Sequence, residues 1–380
     1  MEKKIVFQRS IKMLCLILCV VMLSSLAQDF CRYYDYNVER MAGFYAEPKD
    51  SLDVVLVGAS EVFTGFSSGY AYDLYGFTSY PYAEDSLPGV LFESQVKEIL
   101  KHQDPKWIVI DINGILYDDP SVHTDGANLR KFLNNIPYSW NRIRTMMELV
   151  PCEEWYFYLF PLAKNHSNWK EAANQWESIL DYYEIKRNGA ILKGNVTNLN
   201  VLSNMTARDV SEVDSCKPLE SESERILRDF LDFCRKNEIK NVMFVRFPHF
   251  IAQDWTYDRF QRGNEAKRII TEEYGIPFVD LELQAEQMGL DYYTDFYNED
   301  HLNFEGQQKL TEYFGRILVE QYGVEESVLT EKQRQDWDRA AEYTQLFYRY
   351  CLLCRETGGA IDLDESRWLI RELDALKAAG

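Results

Sequence analysis

The chain predicts an α/β fold: a three-layer α/β/α arrangement around a mostly parallel sheet, with a mainly helical insertion and a C-terminal helical extension. Two observations carry that expectation. Uninterrupted apolar runs rich in Val and Ile read as strands buried on both faces. The segments between them have helical periodicity, and strands alternating with helices imply parallel pairing. With 380 residues and 46% hydrophobic side chains, the chain is long enough to bury a large core.

At the N-terminus, Lys3, Lys4, Arg9 and Lys12 precede an apolar run over 13–27. A basic flank stays on the cytoplasmic side and sends the rest of the chain outward. Residues 1–28 are read as a membrane anchor, with a secretory signal cleaved near Ser25-Leu26-Ala27 as the alternative. Residues 29–50 are polar and aromatic and read as a linker. The main domain is expected over 51–322. Its first strand is VVLVG, followed by Gly58-Ala59-Ser60-Glu61 and a loop opening into a helix. A helical pattern over 91–102 leads to KWIVIDI, a second strand ending at Asn113-Gly114. An amphipathic helix over 221–237, the strand NVMFVRFP, a helix over 260–274, the strand IPFVDLE and a last helix after DHLNFEG complete the alternation.

Residues 120–220 break that pattern with aromatics, Asn and Lys, and read as a mainly helical insertion over the sheet. Asn165, Asn195 and Asn204 stand in N-x-S/T sequons there. Residues 323–380 carry two helical patterns, near 331–354 and 364–378, expected to pack on the domain. Cys351 and Cys354 form the one CxxC, in a helical stretch with no second pair nearby, and read as a helix face rather than a zinc or redox site. The formal net charge of −20 argues against nucleic-acid binding, because nothing neutralises phosphate on a large scale.

Two residues carry chemistry. Ser60 follows the first strand where it turns into a helix, so its hydroxyl stands at a carboxyl edge near free helix N–H groups. The plainer alternative is a helix N-cap. His301 lies in the polar loop YNEDHLNFEG before the last helix, beside Asp300 and Asn303, which suits a general base. Its plainer alternative is a structural histidine at a helix start capped by Asn303.

Together, a serine after the first strand and a histidine before the last helix resemble the SGNH-hydrolase superfamily. VVLVGASEVFTGF resembles that superfamily's first block and DFYNEDHLNFEG its last, and the likeness spans about residues 50–322. Within it, the chain is most similar to membrane-anchored relatives that work beside membrane-bound O-acyltransferases, such as the teichoic acid D-alanyl transfer protein and alginate O-acetyltransferase accessory proteins. LAKNHSNW also resembles a segment of such relatives. The resemblance implies Ser60 as nucleophile with its own N–H as oxyanion donor, His301 as general base, and Asn113 and Gly89 as further oxyanion donors. Ala59 stands where the family's first block usually has Asp, and Asn298 where it places the third triad carboxylate. Asp295 or Asp300 would then take over that role, or Asn298 would orient the ring. No metal and no organic cofactor is implied.

The expected function is O-acyl transfer, with acetyl as the expected group, to an exported or cell-surface polysaccharide or teichoic-acid-like acceptor. A membrane-bound O-acyltransferase would be the partner and donor. An esterase with the same site, and a non-catalytic scaffold binding glycan or a partner, are the rivals. Arg246, His249, His166 and Trp169 are lesser candidates for substrate contact, with structural roles expected.

Overall fold

Val54, Leu56 and Val109 turn to one face of the central sheet, while Val55, Val57, Ile108 and Ile110 turn to the other, and all are fully buried. Apolar layers on both faces are the reason the strand sequences read as unbroken hydrophobic runs. The computed structural model describes residues 2–171, 173–202, 206–208, 213–359 and 364–380, and of residues 2–6 the backbone alone.

The chain begins with α1 (Glu2–Cys31), α2 (Tyr36–Ala46), β1 (Val54–Gly58), α3 (Ser60–Gly65), α4 (Ser68–Tyr75), β2 (Ser79–Ala83), α5 (Phe92–His102) and β3 (Trp107–Asp111). The insertion comes next with α6 (Gly126–Leu133), α7 (Trp140–Leu149), α8 (Trp155–Leu159), α9 (Pro161–Asn165) and α10 (Trp176–Asn188). Then come α11 (Ser221–Lys236), β4 (Val242–Arg246), α12 (Asp254–Arg268), β5 (Phe278–Asp280), α13 (Ala285–Met288), α14 (Phe304–Glu320), α15 (Glu331–Thr357) and α16 (Asp364–Ala378). The five strands are all parallel, in the order β2-β1-β3-β4-β5. The chain winds outward in opposite directions from β1 and β3, so a crevice opens beyond their carboxyl ends, where sheets of this kind bind ligands. Ser60 follows β1 and Asn113 follows β3.

Three sequence expectations need correction. The segment 79–83, to which the sequence pattern assigns no element, forms the edge strand β2. Pro81 is tolerated because, among the described residues, β2 pairs with β1 alone and its other edge makes no strand pairing. Residues 29–50 are not a linker: α1 runs to Cys31, and α2, capped by the Asp35 carboxylate, sinks Met41 and Phe44 into the core. Each such side chain stabilises by roughly 1.5–3 kcal/mol, enough to dock a three-turn helix. Arg40 of α2 is buried as well, donating to the carbonyls of Gly194 (2.8 Å) and Ala83 (3.0 Å). Third, the helix expected over 260–274 starts at Asp254, where Gln253 and Thr256 form a reciprocal cap.

The insertion is helical only as far as α10. Beyond it the described residues before α11 form no helix or strand, and residues 195–196 cross α3: the Val196 N–H donates to the Phe63 carbonyl (3.0 Å) and the Asn195 side chain accepts from the Ser68 N–H (2.8 Å) and donates to the Phe66 carbonyl. The Asn195 sequon is therefore buried in packing. Asn165 lies half-buried at the end of α9, and Asn204 lies outside the described residues. The C-terminal extension packs on the domain through α15, with Trp337 fully buried and the Tyr348 hydroxyl 2.9 Å from Gln307 Oε1. Cys351 is buried on that helix and Cys354 half-buried, both unbridged.

Candidate active site

Gly58 closes β1 at φ +153°, and a Cβ there would stand 2.8 Å from Asp111 Cβ. Only glycine lets the backbone turn so close beside β3. Ala59 then occupies the cap position of α3 and offers no side-chain acceptor. The N–H groups of Ser60 and Glu61 consequently have no protein acceptor among the described residues. Ser60 is thus not the cap, and its hydroxyl is free to reach across the crevice.

It reaches His301, whose Nε2 lies 2.7 Å from Ser60 Oγ. The other ring nitrogen, Nδ1, lies 2.8 Å from Asn298 Oδ1. Asn298 Oδ1 also accepts the backbone N–H groups of Asp300 and His301, both at 2.9 Å. Two backbone donors identify that atom as the amide oxygen, so Nδ1 carries the hydrogen and donates to it. Nε2 is then the acceptor, and Ser60 O–H donates to it. Asn303, two residues on, caps α14 by accepting from Glu305 and Gly306, which leaves His301 free of that duty.

Neither carboxylate considered as a third member touches the ring. Asp300 turns to Arg259 on α12, 2.7 Å away. Burial opposes its charge, but Arg259 and then His249 outweigh it and hold Asp300 below the ordinary carboxylate range. Asp295 is fully buried and paired with Lys309 at 2.7 Å.

Asn113 sits in the turn after β3, buried, with Nδ2 donating to Oε1 of Glu61, the residue next to Ser60. One amide hydrogen remains without a protein acceptor. Gly89 is buried against Ile115, Gly114 and Phe92, behind that turn. The structure gives it no contact with Ser60 or His301.

Beneath the pair lies a buried charge network that sequence reasoning did not find. Glu61 and Asp111 approach each other under Ser60, and His249 stands 3.9 Å from Glu61 and 3.5 Å from Glu282. Arg246, also fully buried, makes two hydrogen bonds to Asp280 at 2.9 and 2.7 Å and stands 3.3 Å from Glu282. His249 and Arg246 therefore support the floor of the site from within. A signal existed: an Asp in the strand WIVID and a Glu in the turn after VVLVG are carboxylates where only buried positions are expected. His166 and Trp169 are elsewhere, beside the end of α1, where the His166 carbonyl accepts from Cys31 Sγ at 3.8 Å. Among the described residues, no three His, Cys, Asp or Glu side chains converge to hold a metal ion.

The network makes stability pH-dependent. Burial first, and Glu61 second, push Asp111 well above its ordinary 3.8. Burial and Arg259 work against a charged His249, yet Glu282 and Glu61 prevail and raise it from 6.5 to about 9. Both groups bind their protons more tightly folded than unfolded. Their stabilisation is complete below the unfolded values and is lost as pH rises through the folded ones. We expect the thermal midpoint of the full chain to fall between pH 6.5 and 9. Asp111→Asn, which keeps an acceptor for the Asn113 N–H, should gain on the wild type by up to about 1.4 kcal/mol per pH unit in the window where Asp111 titrates. Parallel unfolding curves for both proteins across the range would refute the assignment.

Fold and site together define an α/β protein with a serine–histidine–asparagine relay at the carboxyl edge of a parallel sheet. No family model matches the chain, and no curated protein matches it.

Proposed function

We propose that the protein is an acyltransferase of the SGNH-hydrolase type, which passes an acyl group through an ester on Ser60 to a hydroxyl of an exported polysaccharide or similar polymer. The observation that carries this reading is the relay from Asn298 Oδ1 through His301 to Ser60 Oγ, with both bonds at or below 2.8 Å. Ser60 Oγ attacks the donor carbonyl as His301 Nε2 takes its proton. The N–H of Ser60, with the spare amide hydrogen of Asn113, faces the oxyanion. Collapse expels the donor's leaving group, which takes the proton from His301. An acceptor hydroxyl then gives its proton to Nε2, attacks the Ser60 ester and carries the acyl group away, returning the proton to Ser60.

The N-terminal helix suits a tethered enzyme. Phe7–Cys31 is long and apolar enough to cross a membrane, and none of its apolar core is buried in the protein. The basic residues ahead of it would keep that end cytoplasmic and the domain outside. A membrane-bound acyltransferase is the donor we propose.

The test is covalent labelling of the full chain, in detergent, with a fluorophosphonate. A single adduct on Ser60, absent from Ser60→Ala, is the expected outcome. An unlabelled, folded protein, or an adduct on another serine, would defeat the proposal. Adding a polyol acceptor to an acetylated enzyme then separates transfer from hydrolysis: acetyl on the polyol supports transfer, free acetate alone an esterase.

A further inference from the structure

We infer that the helical insertion is a second membrane-contacting element, a lipid-facing platform that sits in the interfacial layer of the bilayer around the outer end of α1. The reading is independent of the chemistry at Ser60.

Length supplies the first reason. Lys12 is the last basic residue before the apolar run and Asp29 the first acidic one after it. Phe7–Cys31 is long enough to cross, but the 16 uncharged residues between Lys12 and Asp29 span roughly 24 Å of helix, so filling a ~30 Å hydrocarbon core draws charged flanks toward it. A short span thins the bilayer or draws its flanks inward. Whatever surrounds the outer end of α1 is therefore pulled toward lipid.

What surrounds it is an apolar, aromatic surface. Helix α1 packs against α9 and the turn His166–Glu171. The rings of Phe30 and Trp176 lie 6.2 Å apart, and the Tyr183 hydroxyl donates to Asp29 at 2.7 Å. Trp169, in the turn against α1, is 64% exposed and Tyr33, just past the end of α1, 63%; elsewhere on the insertion Trp140 is 75% exposed and Phe160 67%. Side chains this large and this open, three of them on the insertion and one just past α1, are what an interfacial belt uses. A globular surface facing only water does not concentrate them.

Charge agrees. Residues 126–188 hold eight Lys and Arg against seven Asp and Glu, while the whole chain holds 41 against 61. The acidic excess that would repel an anionic leaflet lies elsewhere. Two clefts open beside the end of α1. One, of about 290 Å³, is lined by Arg32, Arg142 and Lys186; the other, of about 240 Å³, by Arg32, Lys131 and Lys164. None of these five cations has a carboxylate within ion-pair distance among the described residues, but Arg142 is buried and spends its guanidinium on the carbonyls of Ile136 (2.9 Å) and Tyr158 (2.7 Å), which leaves Arg32, Lys131, Lys164 and Lys186 open to a ligand. The acids beside them are engaged: Asp29 by Tyr183 and Asp35 by the cap of α2. Cations of this kind at an interface suit lipid phosphates. A platform joined to α1 at several points would fix the orientation of the Ser60 crevice to the bilayer, which a single helix on a flexible linker would not do.

The test exploits the absence of tryptophan from α1. The full chain is reconstituted into vesicles whose phosphatidylcholine carries bromine near the top of the acyl chain, and its emission is compared with that in unbrominated vesicles. Contact quenching can come only from tryptophans outside α1. Emission should fall in the brominated vesicles, by a fraction bounded by the share of Trp140, Trp169 and Trp176 among eight tryptophans. Replacing those three with Phe keeps the face apolar and should abolish the quenching, while the protein still floats with the vesicles. Equal emission in both vesicle types from a protein that floats would overturn the inference and leave this face to a protein partner. Quenching undiminished in the triple variant would overturn it too. A protein that does not float would refute the membrane seat of α1, and the platform with it.

Discussion

Acylation of Ser60 slows by about 10²- to 10⁴-fold when His301 is replaced by alanine, because a positioned base contributes that much to proton removal in the transition state. The serine hydroxyl has no other base within reach: its Oγ is bonded to His301 Nε2, and Asp295 and Asp300 are committed to Lys309 and Arg259. The rate is read as single-turnover acetylation from a small activated ester. Added imidazole should restore part of it by occupying the vacated space, a response that a purely structural histidine would not give. His301 is only half-buried, and the bridge between Phe296 and Leu302 is made by backbone, so the thermal midpoint should move little. An alanine variant acetylated at the wild-type rate would remove His301 from the mechanism and leave the relay a packing motif.

The layered α/β plan and the serine–histidine pair were legible because both rest on local signals. Buried parallel strands must be apolar on both faces, and a serine at a strand end and a histidine before a helix sit at fixed places along the chain. What escaped depends on tertiary surroundings. In α2, Arg40 reads as a solvent-facing residue, yet it is buried because two carbonyls and the Phe63 ring, 3.5 Å below its guanidinium, receive it. In β2, Pro81 counts against a strand unless the strand is known to lie at an edge. Asp111 and Glu61 were visible as residues, but their proximity comes from β1 and β3 lying side by side. The Asp300 reading failed for a similar reason: adjacency in sequence suggested that it would orient the histidine, while Arg259, far along the chain, claims it.

In the proposed mechanism Asn298 sets the strength of the base, and two substitutions there should move activity in opposite directions. Its amide oxygen holds three hydrogens at once, from Asp300 N, His301 N and His301 Nδ1. Alanine removes all three bonds, frees the ring and loosens the loop, and should slow acylation by about 10²-fold, the lower end of what a misplaced base costs. Aspartate keeps an oxygen in the same place and adds a charge that steadies the imidazolium formed as Ser60 loses its proton. We expect a gain of about tenfold, which corresponds to about 1.4 kcal/mol. In a serine protease the reverse change, Asp to Asn, costs roughly 10⁴-fold, much of it because the asparagine imposes the wrong tautomer. Here two backbone N–H groups lock the asparagine oxygen toward the ring, so the tautomer is already correct and only the charge is missing. Single-turnover acetylation of the two variants separates the possibilities. A gain near 10⁴-fold for Asn298→Asp would mean that the amide nitrogen, not the oxygen, faces His301. No gain would mean that the imidazolium is already stabilised from elsewhere, with the ionised Asp300, whose charge His301 helps to hold, as the source.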